Sequence, residues 1–132
     1  MSRLLVDTHI ALWSLIDSPK MPEAAWIQLR NSGNELFVST VVVWECAIKH
    51  RLNRGSPEDM PYSGSKALER LILAGYDLLP ITPEHAAEVD HLPPHHGDPF
   101  DRLMIAQARL EPLRLLTHDT KLAAYGDFVM VV

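Results

Sequence analysis

Five short apolar runs, at residues 4–6, 36–38, 78–81, 113–117 and 128–132, are separated by segments with helical spacing. Runs of this length suit buried strands, and strands that alternate with helices point to an α/β fold with a mostly parallel sheet. Pro80 cannot donate to a ladder, so the third run belongs at an edge or a bulge. Between the runs, Thr8 begins a helical pattern in which Ala11, Leu12, Leu15 and Ile16 share a face, and Ser18-Pro19 closes it. Residues 22–29 read as a second helix. Residues 41–52 read as a third, with Val41, Trp44, Ala47, Ile48 and Leu52 on one side and Gly55 as its C-terminal cap. Residues 58–64 are irregular. Residues 66–73 are helical, with Leu68, Leu71 and Ile72 inward and Gly75 as the stop. Thr82-Pro83 opens another helix, and residues 121–125 give a helical turn or two. Trp13, Trp26 and Trp44 fall at helical spacing with other apolar residues and read mainly as core.

Length and composition narrow the class. A chain of 132 residues buries a sizeable core, and residues 1–132 read as a single domain. A formal net charge of -5 argues against a general polyanion binder, so contact with nucleic acid must be local or bridged by cations. With one cysteine, Cys46, no intrachain disulfide can form, and its apolar helical setting reads as core. Asp7 interrupts an N-terminal apolar run too short for a signal peptide. No stretch approaches the roughly 20 apolar residues of a membrane span. The expected compartment is the cytoplasm.

The chemistry concentrates in Asp98-Pro99-Phe100-Asp101-Arg102. Asp98 suits an N-cap, Pro99 the first helical position and Asp101 the capping-box position. Alone, the two acids read equally well as a cap and its partner. Asp7 ends the first strand, Asp119 follows the fourth, and Glu45 lies in the first turns of the helix after the second. Helix starts and strand ends share one edge of such a sheet, where ligands bind, so all five acids can meet there. Taken singly, Asp7 and Asp119 could cap helices, and Glu45 could pair with Lys49 on a solvated face. Together they would repel one another, and a divalent cation removes that conflict. Hard oxygen donors favour Mg²⁺ or Mn²⁺ over zinc. Such a site activates water and clamps a phosphodiester. Thr8, Ser39 and Thr117 stand at the same edge and could bond a carboxylate.

Other side chains border this region. His91, His95 and His96 crowd the loop before Asp98; they lack the second cluster of a zinc site and read as a loop rim near substrate. His9 and His118 flank acids and could meet a nucleic-acid phosphate or orient an acid, and read equally well as exposed surface positions. Lys49, His50, Arg51 and Arg54 put positive charge at a helix end, where it favours the helix dipole or offers an RNA or partner contact. Arg102 could hold a phosphate or lock a carboxylate.

Val6-Asp7-Thr8-His9, Trp44-Glu45, Asp98-Pro99-Phe100-Asp101-Arg102 with Met104-Ile105-Ala106-Gln107-Ala108, and Thr117-His118-Asp119 together resemble PIN-domain ribonucleases, and most of all the VapC toxins of bacterial VapBC toxin–antitoxin pairs. The ordered set carries the resemblance, and it covers essentially the whole chain. It implies a three-layer α/β/α sandwich. It also implies a Mg²⁺- or Mn²⁺-dependent endoribonuclease, the toxin of a type II pair, neutralised by a VapB-like antitoxin and expected to form a homodimer. By position, Asp7, Glu45, Asp101 and Asp119 match the family's acidic quartet, and Thr117 matches its small hydroxyl residue. Asp98 is an extra acid of members with the Asp-Pro-Phe-Asp form, a cap or outer group that could also touch metal. Two other classes compete. One is phosphoryl transfer through an aspartate nucleophile, for which Asp7-Thr8-His9 lacks a second acid two residues on. The other is a non-catalytic acidic rim that grips a basic peptide.

Overall fold

The computed structural model describes residues 1–132. Strands β1 (Arg3–Val6), β2 (Glu35–Ser39), β3 (Asp77–Leu79), β4 (Arg114–Thr117) and β5 (Val129–Val131) form one sheet in the order β3-β2-β1-β4-β5. Every pairing is parallel, with Leu5 of β1 opposite Phe37 on one side and Leu115 on the other. A parallel sheet needs both faces covered. Accordingly Leu4, Leu5, Val6, Leu115 and Leu116 of the central strands have no exposed surface. Helices α1 (Thr8–Ile16), α2 (Glu23–Arg30), α3 (Thr40–His50), α4 (Gly64–Leu73), α5 (Pro83–Glu88) and α6 (Pro99–Leu110) complete an α/β/α sandwich. No helix is long and apolar enough to cross a membrane. Pro80 falls just beyond β3, which is an edge strand, as its missing donor requires.

Several local features differ from the sequence expectation. Helix α1 stops one residue before Ser18-Pro19: Asp17 takes a left-handed conformation (φ 51°) and its N–H bonds the Trp13 carbonyl. Gly55 caps nothing, because α3 ends at His50 with Arg51 as its cap. Gly55 instead lets the following loop turn, at φ +82°. There the N–H groups of Arg54, Gly55 and Ser56 all donate to the Asp59 carboxylate. Helix α4 begins earlier than residue 66, with the Ser63 hydroxyl accepting from the Lys66 N–H. A Cβ at Gly64 would lie 2.8 Å from that of Ala47, so glycine is what allows α4 to start against α3.

Trp44 is not core; it is 57% exposed and meets Phe100 edge to face. The buried stripe of α3 is Val41, Val42, Glu45 and Cys46, which leaves Trp44, Ile48 and Leu52 off to one side. Likewise α4 buries Ala67 and Leu71 rather than Leu68 and Ile72. Trp13 and Trp26 are half-buried against the core. In α3 the inward face carries a carboxylate, which an apolar-periodicity argument reads as the outward one.

Candidate functional site

Strand order reverses beside β1: the chain goes from β1 to β2 on one side and later returns to β4 on the other. The crevice at the carboxyl ends of β1 and β4 is therefore the switch point where parallel sheets bind ligands. Asp7 follows β1, Thr117 ends β4, and Asp119 lies two residues further on. Glu45 arrives from α3, and Asp98 and Asp101 from the start of α6. These five acids, with Thr8, His9 and Lys49, line one pocket of about 80 Å³.

Capping and convergence turn out to be one arrangement. Asp7 caps α1 by accepting the Ile10 N–H on one oxygen (3.0 Å), while its other oxygen accepts the Thr117 hydroxyl. Asp98 caps α6, one oxygen taking the N–H groups of Phe100 and Asp101 (2.9 and 3.0 Å). Asp119 accepts from the Lys121 N–H, and its own N–H donates to the Thr117 hydroxyl oxygen (3.0 Å each). The positive ends of three helical segments thus hold three carboxylates at one rim.

Glu45 is held differently. One of its oxygens accepts the Thr8 hydroxyl at 2.7 Å, and the other accepts the Lys49 ammonium at 2.5 Å. The i,i+4 pair exists, yet Glu45 is only 6% exposed, so this is not a solvated face. Ser39 is buried and caps α3 through the Val41 N–H, its one side-chain hydrogen bond, so it does not support a carboxylate as Thr8 and Thr117 do.

The electrostatics follow from this crowding. Burial, opposed by bonds from Thr117 and Ile10, raises the Asp7 carboxyl above the ordinary range. Burial and then the neighbouring charges of Asp98 and Asp7 push Asp101 up to about 7. Burial works to lower the Lys49 ammonium, but the Glu45 bond and the charges of Glu45, Asp98 and Asp101 outweigh it and raise it. Five carboxylates facing one ammonium leave the pocket short of positive charge. Its donors are hard oxygens, so a Mg²⁺- or Mn²⁺-sized cation fits the residues present.

The sequence reading left His96 on a loop rim, but it belongs to the site. Its Nε2 lies 3.1 Å from Asp119 and 3.7 Å from Asp101. These three side chains can bring ligand atoms within 4.8 Å of one another. The ring's other nitrogen, Nδ1, accepts the Asp98 N–H at 3.0 Å, which puts the proton on Nε2. His96 is then a donor to the carboxylates in this arrangement rather than a metal ligand. The sequence signal was its place two residues before the cap. The three loop histidines do not gather into a zinc site: His95 packs edge-on against Tyr125 while His96 turns to the acids.

Arg102 lines neither the acidic pocket nor the space beside it. Its guanidinium donates to the carbonyls of Val89, Leu92, Pro93 and His96 and to the Tyr125 hydroxyl, and so ties down the loop that carries His96. A fork of five donors next to a helix start meets the loop's carbonyls before it meets solvent. Nδ1 of His118 lies 2.6 Å from the Val132 carbonyl oxygen, and the His118 ring meets the edge of Trp13. His9 is exposed and stacks on Trp13. Lys49, Arg51 and Arg54 are all exposed, and of the three Lys49 reaches back to the pocket through its bond to Glu45. A larger cleft of about 680 Å³ adjoins the acids and shares Thr8, His9, Glu45 and Lys49 with their pocket.

A family model described as the PIN domain matches residues 4–127. No curated protein matches the sequence. Among solved structures, the fold resembles VapBC2 from Rickettsia felis bound to a promoter DNA fragment, with a TM-score of 0.68 at 14% identity over 98% of this chain and 97% of that one. It also resembles a toxin–antitoxin complex from Klebsiella pneumoniae, with a TM-score of 0.65 at 20% identity over 98% and 97%. A third is FitAcB from Neisseria gonorrhoeae, with a TM-score of 0.63 at 21% identity over 98% and 96%.

Proposed function

Because this chain belongs to the PIN-domain family, we propose that it is a divalent-metal-dependent endoribonuclease, the toxin of a type II pair restrained by a VapB-like antitoxin. The observation that carries this reading is the pocket itself: five carboxylates and one ammonium at the switch point of a parallel sheet. Asp7, Glu45, Asp101 and Asp119 would hold Mg²⁺ or Mn²⁺, with Asp98 able to join them. When bound, such a cation lowers the pKa of water and draws charge from a phosphodiester. The chain's own residues set the stage. Thr117 and the α1 terminus fix Asp7, Thr8 and Lys49 fix Glu45, and His96 fixes the outer oxygen of Asp119. Carboxylates locked in this way need little rearrangement on meeting a cation.

Phosphoryl transfer through Asp7 fits poorly. Both of its oxygens are already engaged, and Asp7-Thr8-His9 lacks the second acid two residues on that would do the acid–base work. The antitoxin assignment is supported by fold neighbours that are toxin–antitoxin complexes, and by an acidic pocket suited to a basic side chain. A homodimer and a cytoplasmic setting belong to the same proposal. Purified protein should cleave RNA with Mg²⁺ or Mn²⁺ and stop in EDTA, and Asp7→Asn should be inactive yet folded. Undiminished cleavage after chelation refutes the metal mechanism.

A further inference from the structure

We propose that the cleft beside the acids is a nucleotide subsite, in which an unpaired base of single-stranded RNA stacks on the His9–Trp13 pair. The inference rests on the acidic pocket being the cleavage site, and it names what flanks that site. The first support is continuity. His9 lines both the acidic pocket and the cleft, so a chain whose phosphate meets the acids has a continuous path for an adjacent nucleotide past His9. The second is the aromatic surface. The His9 and Trp13 rings are stacked, 5.5 Å apart and 14° from parallel, and both line the cleft. The His118 ring braces Trp13 in a T-shaped contact at 5.8 Å. An exposed ring backed by a half-buried one beside a phosphate site is what base stacking uses, whatever the base.

Size and charge agree. A volume of about 680 Å³ lies within the range of small-molecule pockets and accommodates a nucleotide. Lys20 and Arg54 bring cations to the lining. Of its acids outside the acidic pocket, Asp59 is turned toward three backbone N–H donors of its own loop, and Glu58 is the other. The lining mixes polar and charged side chains with the apolar ones of Leu12, Trp13, Ile16, Leu52 and Met60, a combination that suits a nucleotide's base and its phosphate.

The test is binding of a labelled 12-nucleotide single-stranded RNA to the whole protein in EDTA, where cleavage is off. Abasic riboses are placed one at a time along the strand. One or two adjacent abasic positions should weaken binding by about 10-fold. His9→Ala should weaken the intact strand by a similar factor and erase that position's penalty, and His9→Phe should restore both. Trp13 fluorescence, read in a Trp26→Phe, Trp44→Phe background, should be quenched by the intact strand. Equal tolerance of every abasic position, or unchanged binding by His9→Ala, overturns the subsite while Mg²⁺-dependent cleavage by the native chain still stands. A native chain that neither binds nor cuts RNA overturns both readings. Quenching by a basic peptide but not by RNA assigns the cleft to a protein partner and also overturns the proposal.

Discussion

Thr117 donates its hydroxyl to Asp7 across 110 positions of the chain, joining the carboxyl ends of neighbouring strands β1 and β4. The same hydroxyl oxygen accepts the Asp119 N–H, so one side chain aligns two of the acids. Thr117→Val keeps the shape and removes the donor. It should reduce metal-dependent RNA cleavage by more than 10-fold and cost about 1–3 kcal/mol, because Asp7 is left buried with one oxygen unpaired. Thr117→Ser should recover most of both. Cleavage rates and thermal melts of the three proteins check this.

Asp101 governs a second expectation. Its carboxyl titrates near 7 in the folded, metal-free chain, against 3.8 as its ordinary value. Between those values the folded state binds the proton and the unfolded state does not. The group's contribution to stability is therefore present at low pH and declines as pH rises through about 7. The metal-free protein should lose a few degrees of Tm between pH 5 and pH 8, relative to Asp101→Asn, whose melt should move less. Saturating Mg²⁺ should largely abolish that decline at the upper end. A melt that is flat with pH in EDTA contradicts the assignment.

Lys49 is the one ammonium in the acidic pocket and already engages Glu45. A cation arriving there competes with it. Lys49→Met should tighten Mn²⁺ binding on the order of 5-fold, the Coulomb effect of one nearby charge at a partly screened site. Calorimetric titration reads this directly, and weaker Mn²⁺ binding contradicts it.

Arg102 acts on the loop. Arg102→Ala removes the bonds to Val89 and Pro93, which keep backbone donors, leaves the Leu92 and His96 carbonyls without one, and should destabilise the fold by about 2 kcal/mol. Arg102→Lys should rescue little, since an ammonium cannot span that fan of acceptors. Hydrogen exchange should rise first at residues 89–98, before global unfolding.

Much of the fold was legible because its signals are local. Apolar runs, cap residues such as Asp98 and Thr82, and the edge proline Pro80 act within a few residues of themselves. Faces of helices were less legible. In α3 and α4 the apolar residues outnumber the buried positions, so periodicity chose Trp44, Leu68 and Ile72 where packing chose Glu45 and Ala67, while Leu71 was common to both. For α3 the difference bears on the site, because the buried position carries a pocket carboxylate.

By itself the sequence determined the order of strands and helices and placed Asp7, Asp98 and Asp119 where helical segments begin, since capping depends only on neighbours in the chain. The tertiary structure decided that β1 lies between β2 and β4, which brings Asp7 against Thr117 and turns five separate acids into one pocket. It also decided that His96 joins them and that Arg102 does not. Strand neighbours and loop partners are fixed by contacts between residues far apart in the chain, and short-range patterning carries no information about those contacts.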